Sequence, residues 1–143
     1  MRSAAIAAVM LGILQGPALA EDAYLDDRSS PEALLQSLYN AINRKEYARA
    51  YDYFATPPAK DLEAYQKGYE DTQNVGVITG TPTAEGAAGS TYYQMPVAIR
   101  ATATDGSERV FSGCYTLRLS NPQVQGSPYK PLHIEKASMK AAE

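Results

Sequence analysis

The sequence predicts an α+β domain in which N-terminal helices pack on one face of a strongly bent, mainly antiparallel sheet. Three observations predict it. Apolar residues recur at spacings of three and four between Leu34 and Tyr69. After Thr72 the period changes to two. Asp105-Gly106 then stands between two long alternating segments as a hairpin signal. Helical segments followed by strands, rather than interleaved with them, indicate α+β and not a parallel α/β sheet.

The first helix has a clear start. Ser29 and Ser30 can each cap it, Pro31 suits the first turn, and Glu32 stands at capping-box spacing from Ser29. Leu34, Leu35, Leu38, Tyr39 and Ile42 form one apolar stripe, and Asn43-Arg44-Lys45 ends it in a polar corner. A second helix is expected over 46–55 with Tyr47, Ala50, Tyr51 and Phe54 on its face, stopped by Pro57-Pro58. A third, over 61–69, presents Leu62, Tyr65 and Tyr69, and Gly68 weakens its end.

The strands follow. Val75, Val77 and Thr79 mark the first, and 81–89 reads as a glycine-containing loop. A long strand over 91–104 carries Tyr93, Met95, Val97, Ile99, Ala101 and Ala103 on one face, with Pro96 implying a bulge, a bend or an N–H position turned away from a partner. The next, over 108–119, carries Phe111, Gly113, Tyr115, Leu117 and Leu119. A three-residue loop at 105–107 would pair Ala101 with Phe111 and Val97 with Tyr115. A two-residue turn would pair Val97 with Cys114 and exchange the faces. The first register collects the apolar residues and is preferred. After a turn-rich loop over 121–128, a last strand over 129–139 carries Leu132, Ile134 and Lys136 on one side and His133 on the other.

The N-terminus reads as a secretory signal: Arg2, the apolar run Ala4 to Leu14, a break at Gln15-Gly16-Pro17, and the small-x-small site Ala18-Leu19-Ala20, with cleavage between Ala20 and Glu21. The organisation expected is a signal peptide over 1–20, a mobile leader over 21–29, one α+β domain over 30–139 and a frayed tail over 140–143. The protein is then exported, to a bacterial periplasm or beyond, with no membrane anchor after signal removal.

Composition excludes several functions. The chain has 143 residues with 13 Lys and Arg against 16 Asp and Glu, and neither sign is clustered, so there is no electrostatic footprint for nucleic acid. Its single Cys and single His cannot form a zinc site of the His/Cys kind, and no cofactor motif is present. Cys114 reads as a small buried hydrophobe and His133 as a half-buried strand residue, since no nucleophile elbow exists to pair with it. The glycines at 76, 80, 86 and 89 lack the Lys-Ser/Thr pair of a phosphate loop. Asp52, Asp61, Glu63, Glu70 and Asp71 read as solvated acids, and Glu70 or Asp71 could act as a base only if turned inward.

The segment Pro31-Glu32-Ala33-Leu34-Leu35-Gln36-Ser37-Leu38-Tyr39-Asn40-Ala41-Ile42-Asn43, followed by Glu46-Tyr47-Ala48-Arg49-Ala50-Tyr51-Asp52-Tyr53-Phe54, resembles the opening of the NTF2-like (SnoaL, ketosteroid-isomerase-like) superfamily. The long strand and the Asp105-Gly106 hairpin are similar to its later part. The resemblance covers roughly residues 30–138 and implies a cone whose helices and curled sheet enclose a cavity. Members include isomerases, dehydratases, cyclases and noncatalytic binding domains, so the fold leaves function open. No catalytic set of that family maps onto this chain residue by residue.

Tyrosine supplies most of the aromatic area, with 11 Tyr, 2 Phe and no Trp. Tyr39, Tyr51, Tyr65, Tyr69, Tyr93 and Tyr115 all fall on predicted core faces, where they either pack as ordinary core or line a pocket for a small amphipathic ligand. The reading preferred is a noncatalytic exported module that binds a small molecule or a protein partner. The alternatives are a small enzyme of the same fold using Tyr and Asp/Glu in the cone, and a structural homodimer formed through the open sheet face.

Overall fold

The computed structural model describes residues 21–123 and 131–142. Residues 1–20, expected as a signal peptide cleaved after Ala20, and the strand start expected at Tyr129 lie outside the described residues. Three helices, α1 (Pro31–Asn43), α2 (Tyr47–Asp52) and α3 (Leu62–Lys67), precede five strands: β1 (Thr72–Thr79), β2 (Thr83–Ala87), β3 (Ser90–Ala103), β4 (Glu108–Ser120) and β5 (Leu132–Ala141). The strands form one antiparallel, curved, open sheet in the order β1-β3-β4-β5, with β2 also on β3.

Ser30 caps α1, its side chain accepting from the Ala33 N–H. That choice places Glu32 one position too early for a capping box, and its carboxylate instead accepts from Gln36 one turn on. The stripe Leu34, Leu35, Leu38 and Ile42 is buried as expected, and burying each such side chain contributes about 1.5–3 kcal/mol. Asn43 stitches the end of α1 to the first strand, donating to the Val75 carbonyl at 2.9 Å and accepting from the Val75 N–H at 2.7 Å. At the opposite edge, the chain leaving α2 pairs with β5: the Ile134 N–H donates to the Tyr53 carbonyl and the Ala55 N–H donates to the Ile134 carbonyl, both at 2.9 Å. The helical layer is therefore pinned to both outer strands. Asp61 caps α3 by accepting from Ala64, and Leu62 is exposed rather than on the packed face.

Several further features differ from the sequence expectations, while Pro96 takes one of the positions expected of it. The segment expected as a loop over 81–89 contains β2, whose fully exposed residues carry no alternating apolar signal. Pro96 sits where the edge of β3 changes partner, between β1 (up to Thr79↔Val97) and β2 (from Thr83↔Gln94), so its missing N–H falls in the gap while its carbonyl still accepts from Gly80 at 2.8 Å.

The β3–β4 register pairs Ile99 with Phe111, Val97 with Gly113 and Met95 with Tyr115. It is displaced by two residues from the preferred register, and the last pair is Thr102↔Glu108. A slip of two keeps every side chain on its face, so alternation could not detect it. Within the longer turn, Asp105 accepts from the N–H and the hydroxyl of Ser107.

In β5, Glu135 is an extra residue between the pairs Leu117↔Ile134 and Thr116↔Lys136. This bulge switches the alternation, so Lys136 is exposed, and Ala137 and Met139 face inward beyond it. Residues 140–141, expected to fray, continue the ladder opposite Ser112 and Phe111, and the Ala142 N–H donates to the Val110 carbonyl. Cys114, expected inside, is exposed on the outer face.

Residues 21–28 carry no secondary structure, as a leader would, yet hydrogen bonds from α1 and α2 tie them down.

Candidate functional site

The concave side of the sheet, α1, α3 and the chain between α2 and α3 line an open cavity of about 640 Å³, within the roughly 300–1,000 Å³ range of small-molecule sites. Tyr39 of α1 and Tyr65 and Tyr69 on and just after α3 form one wall, and Val75, Ile99, Ala101, Phe111, Tyr115 and Met139 from the sheet form the other. The wall is predominantly apolar. Asp71 and Arg109 are the charged residues on it, both exposed at the rim, and the Arg109 guanidinium lies 5.4 Å from the centre of the Phe111 ring.

Gly113 makes this concavity possible. An added Cβ there would stand 1.9 Å from the Ser138 carbonyl oxygen and 2.9 Å from the Met139 Cα. Only a residue without a side chain lets β5 curl this closely across β4 and carry Ala137 and Met139 over the cavity.

Four of the six predicted tyrosines, Tyr39, Tyr65, Tyr69 and Tyr115, line the cavity. The other two do not. The Tyr51 hydroxyl donates to the Ala59 carbonyl at 3.3 Å, and its ring supports Tyr65 from behind at 5.6 Å between centroids. Tyr93 lies at the far end of β3, paired with Ala84 and Leu117, and packs on the core. Both occupy apolar faces as expected, but the cavity fills only the end of the sheet nearer the Asp105-Gly106 turn. Tyr53, which was assigned no core role from the sequence, is fully buried at the end of α2. It follows Tyr51 and Asp52 off the helical stripe, and its ring is covered by the Arg28 guanidinium at 4.4 Å, with its hydroxyl bonded to Asp26 and Arg49.

The hydroxyls at the base of the cavity are unequal. Those of Tyr39 and Tyr115 are 2.6 Å apart and hydrogen-bonded to each other. The Tyr65 hydroxyl is buried without a hydrogen-bond partner, in a side chain only 7% exposed. Tyr69 bears on it electrostatically, with ring centroids 5.3 Å apart, but not in hydrogen-bonding geometry. Burial raises the pKa of all four phenols above 10.0, so each stays protonated through the neutral range. A Tyr–Tyr bond uses one of its two protons. One O–H of the pair and that of Tyr65 therefore have no acceptor among these four side chains, and the Tyr65 oxygen is buried with almost no accessible surface.

Apart from Asp71 at the rim, His133 and the acids expected as solvated do not line the cavity. His133 is 3% exposed and shares a 3.0 Å hydrogen bond with Glu135, away from the cavity. Asp61 is spent as the cap of α3. Among the described residues no group of His, Cys, Asp and Glu side chains is placed to hold a metal ion, and no helix is long and apolar enough to cross a membrane. No family model, no curated protein and no solved structure matches the chain.

Proposed function

We propose that this protein is an exported, noncatalytic binding module of the NTF2-like kind. It holds one small amphipathic ligand with its apolar body against the sheet and an oxygen acceptor on the Tyr65 hydroxyl, which a turn of the Tyr65 ring brings to the cavity surface on binding. The observation that carries this reading is that unpartnered, buried hydroxyl on a side chain that lines an apolar cavity. Leaving a buried polar group unsatisfied costs about 1–3 kcal/mol, which a ligand acceptor recovers. The acceptor is uncharged, because among the described residues the charged lining is Asp71 and Arg109, both on the exposed margin.

Two isosteric probes test this, 2-acetylnaphthalene with a carbonyl and 2-isopropenylnaphthalene without one. The wild-type protein should favour the ketone by about five- to tenfold, the size of one net hydrogen bond. Tyr65→Phe should bind the two equally and be more stable than wild type by about 1 kcal/mol, since it removes an unsatisfied group. If neither probe binds, the small-molecule reading fails. If both bind wild type equally, the role of Tyr65 fails.

A further inference from the structure

Beside its apolar stripe, α1 carries a polar one: Ser37, Asn40 and Arg44 recur at spacings of three and four. These side chains bond to the backbone of the segment before the helix. The Asn40 amide accepts from the Leu25 N–H at 3.0 Å and donates to the Ala23 carbonyl at 2.8 Å. The Ser37 hydroxyl accepts from the Asp27 N–H at 2.7 Å and donates to the Asp27 carbonyl at 3.1 Å. Arg49 of α2 donates to the Leu25 carbonyl at 2.7 Å, and Arg44 donates to that of Asp22. Residues 23, 25 and 27 are thus held at every second position, as a strand edge would hold an extended chain.

Backbone contacts read any extended peptide, and two further contacts read side chains. The Tyr24 ring lies beneath the Arg49 guanidinium, 4.6 Å from its carbon. The Asp26 carboxylate accepts from the Tyr53 hydroxyl at 2.7 Å. The track offers Arg44 and Arg49, which Glu46 bridges at 2.8 and 2.6 Å, and the strap offers Glu21, Asp22, Asp26 and Asp27 against Arg28, so the track is net positive and the strap net negative.

We propose that the stripe Ser37–Asn40–Arg44, with Arg49 and Tyr53, is a peptide-recognition track. Residues 22–28 occupy it in cis, and when they lift it takes an extended acidic segment of a partner protein with an aromatic residue and, two positions on, a carboxylate. No residue of the track lines the tyrosine-lined cavity, so this role stands independently of ligand binding there.

The test keeps the whole chain. Leu25→Pro with Asp27→Pro removes the two N–H groups that Asn40 and Ser37 accept from, and leaves the track intact. A fluorescein-labelled peptide of residues 21–29 should bind this variant saturably, and more weakly as salt is raised. It should bind wild type at least about tenfold more weakly, because a tethered strap competes at an effective concentration on the order of millimolar. Adding Asn40→Ala to the variant should abolish binding. A natively folded proline variant that does not bind the peptide, or one whose binding survives Asn40→Ala, overturns the proposal. Should the proline variant not fold, hydrogen exchange on wild type decides. The Leu25 and Asp27 amides should exchange through local opening, far faster than that of Met95 in the sheet centre. Equal protection would mean the strap never lifts, and the track would be structural only.

Discussion

The hydroxyls of Tyr39 and Tyr115 lie 2.6 Å apart across the molecule, joining α1 to β4 over 76 positions of sequence. Each is the other's hydrogen-bond partner, so the pair is neutral while intact and costly when halved. Tyr39→Phe or Tyr115→Phe alone strands a buried hydroxyl and should lower the unfolding free energy by about 1–3 kcal/mol. The double variant should lose less than the sum of the two, a coupling read directly from urea unfolding of the four proteins. Strict additivity would show that water or a bound ligand already satisfies both groups.

Alkaline stability follows from the same cluster. Burial raises the pKa of Tyr39, Tyr65, Tyr69 and Tyr115 above the ordinary 10.0, favouring the protonated form in the folded state. A raised folded pKa contributes stability that is fully present below the unfolded value and is lost as pH rises above it. Unfolding free energy should therefore be flat up to about pH 9 with respect to these groups and fall beyond 10. In a spectrophotometric titration their phenolate signal should appear only together with the loss of near-ultraviolet circular dichroism. Phenolate forming in all four while the fold stays intact would contradict their enclosure.

Gly113→Ala should be among the most destabilising single substitutions in the chain. The new methyl would stand 1.9 Å from the Ser138 carbonyl oxygen, a backbone atom with no freedom to withdraw without opening the β4–β5 ladder. A loss of about 4 kcal/mol or more is expected, in the range reserved for overpacking against fixed structure. Gly76→Ala, with open space around the added carbon, is the control and should change stability by about 1 kcal/mol at most. Similar effects at the two sites would show that the sheet does not curl at Gly113.

Cys114 offers a test of strand orientation. Its side chain is exposed on the outer face of β4, opposite Pro96 and Ser138. The folded protein should react completely with Ellman's reagent in the absence of denaturant. Protection until unfolding would place the thiol inside, as its apolar neighbours in sequence suggest.

Some of this architecture is written locally. Ser30, Pro31 and the leucine stripe specify α1 through contacts within a few turns, and period-two alternation marks β3 and β4 wherever one face is buried. The tyrosine positions around the cavity were legible for the same reason, at Tyr39, Tyr65, Tyr69 and Tyr115. Tyr51 and Tyr93 obey the same periodicity yet miss the cavity, because a face says inward or outward and not which end of the sheet stays open. The polar stripe Ser37, Asn40 and Arg44 gave no signal of its own in the sequence, because its meaning depends on where residues 22–28 run.

The sequence by itself determined the class: helices first, then an antiparallel sheet, with the apolar faces assigned by periods of 3.6 and two. Those periods arise from the geometry of a single helix or strand, so a single segment suffices to reveal them. Tertiary structure alone decided the β3–β4 register, the Glu135 bulge, the exposure of Cys114 and the isolation of the Tyr65 hydroxyl. Each depends on the distance between segments far apart in the chain. A slip of two residues, or one extra residue in a strand, changes that distance while leaving the local pattern almost unaltered.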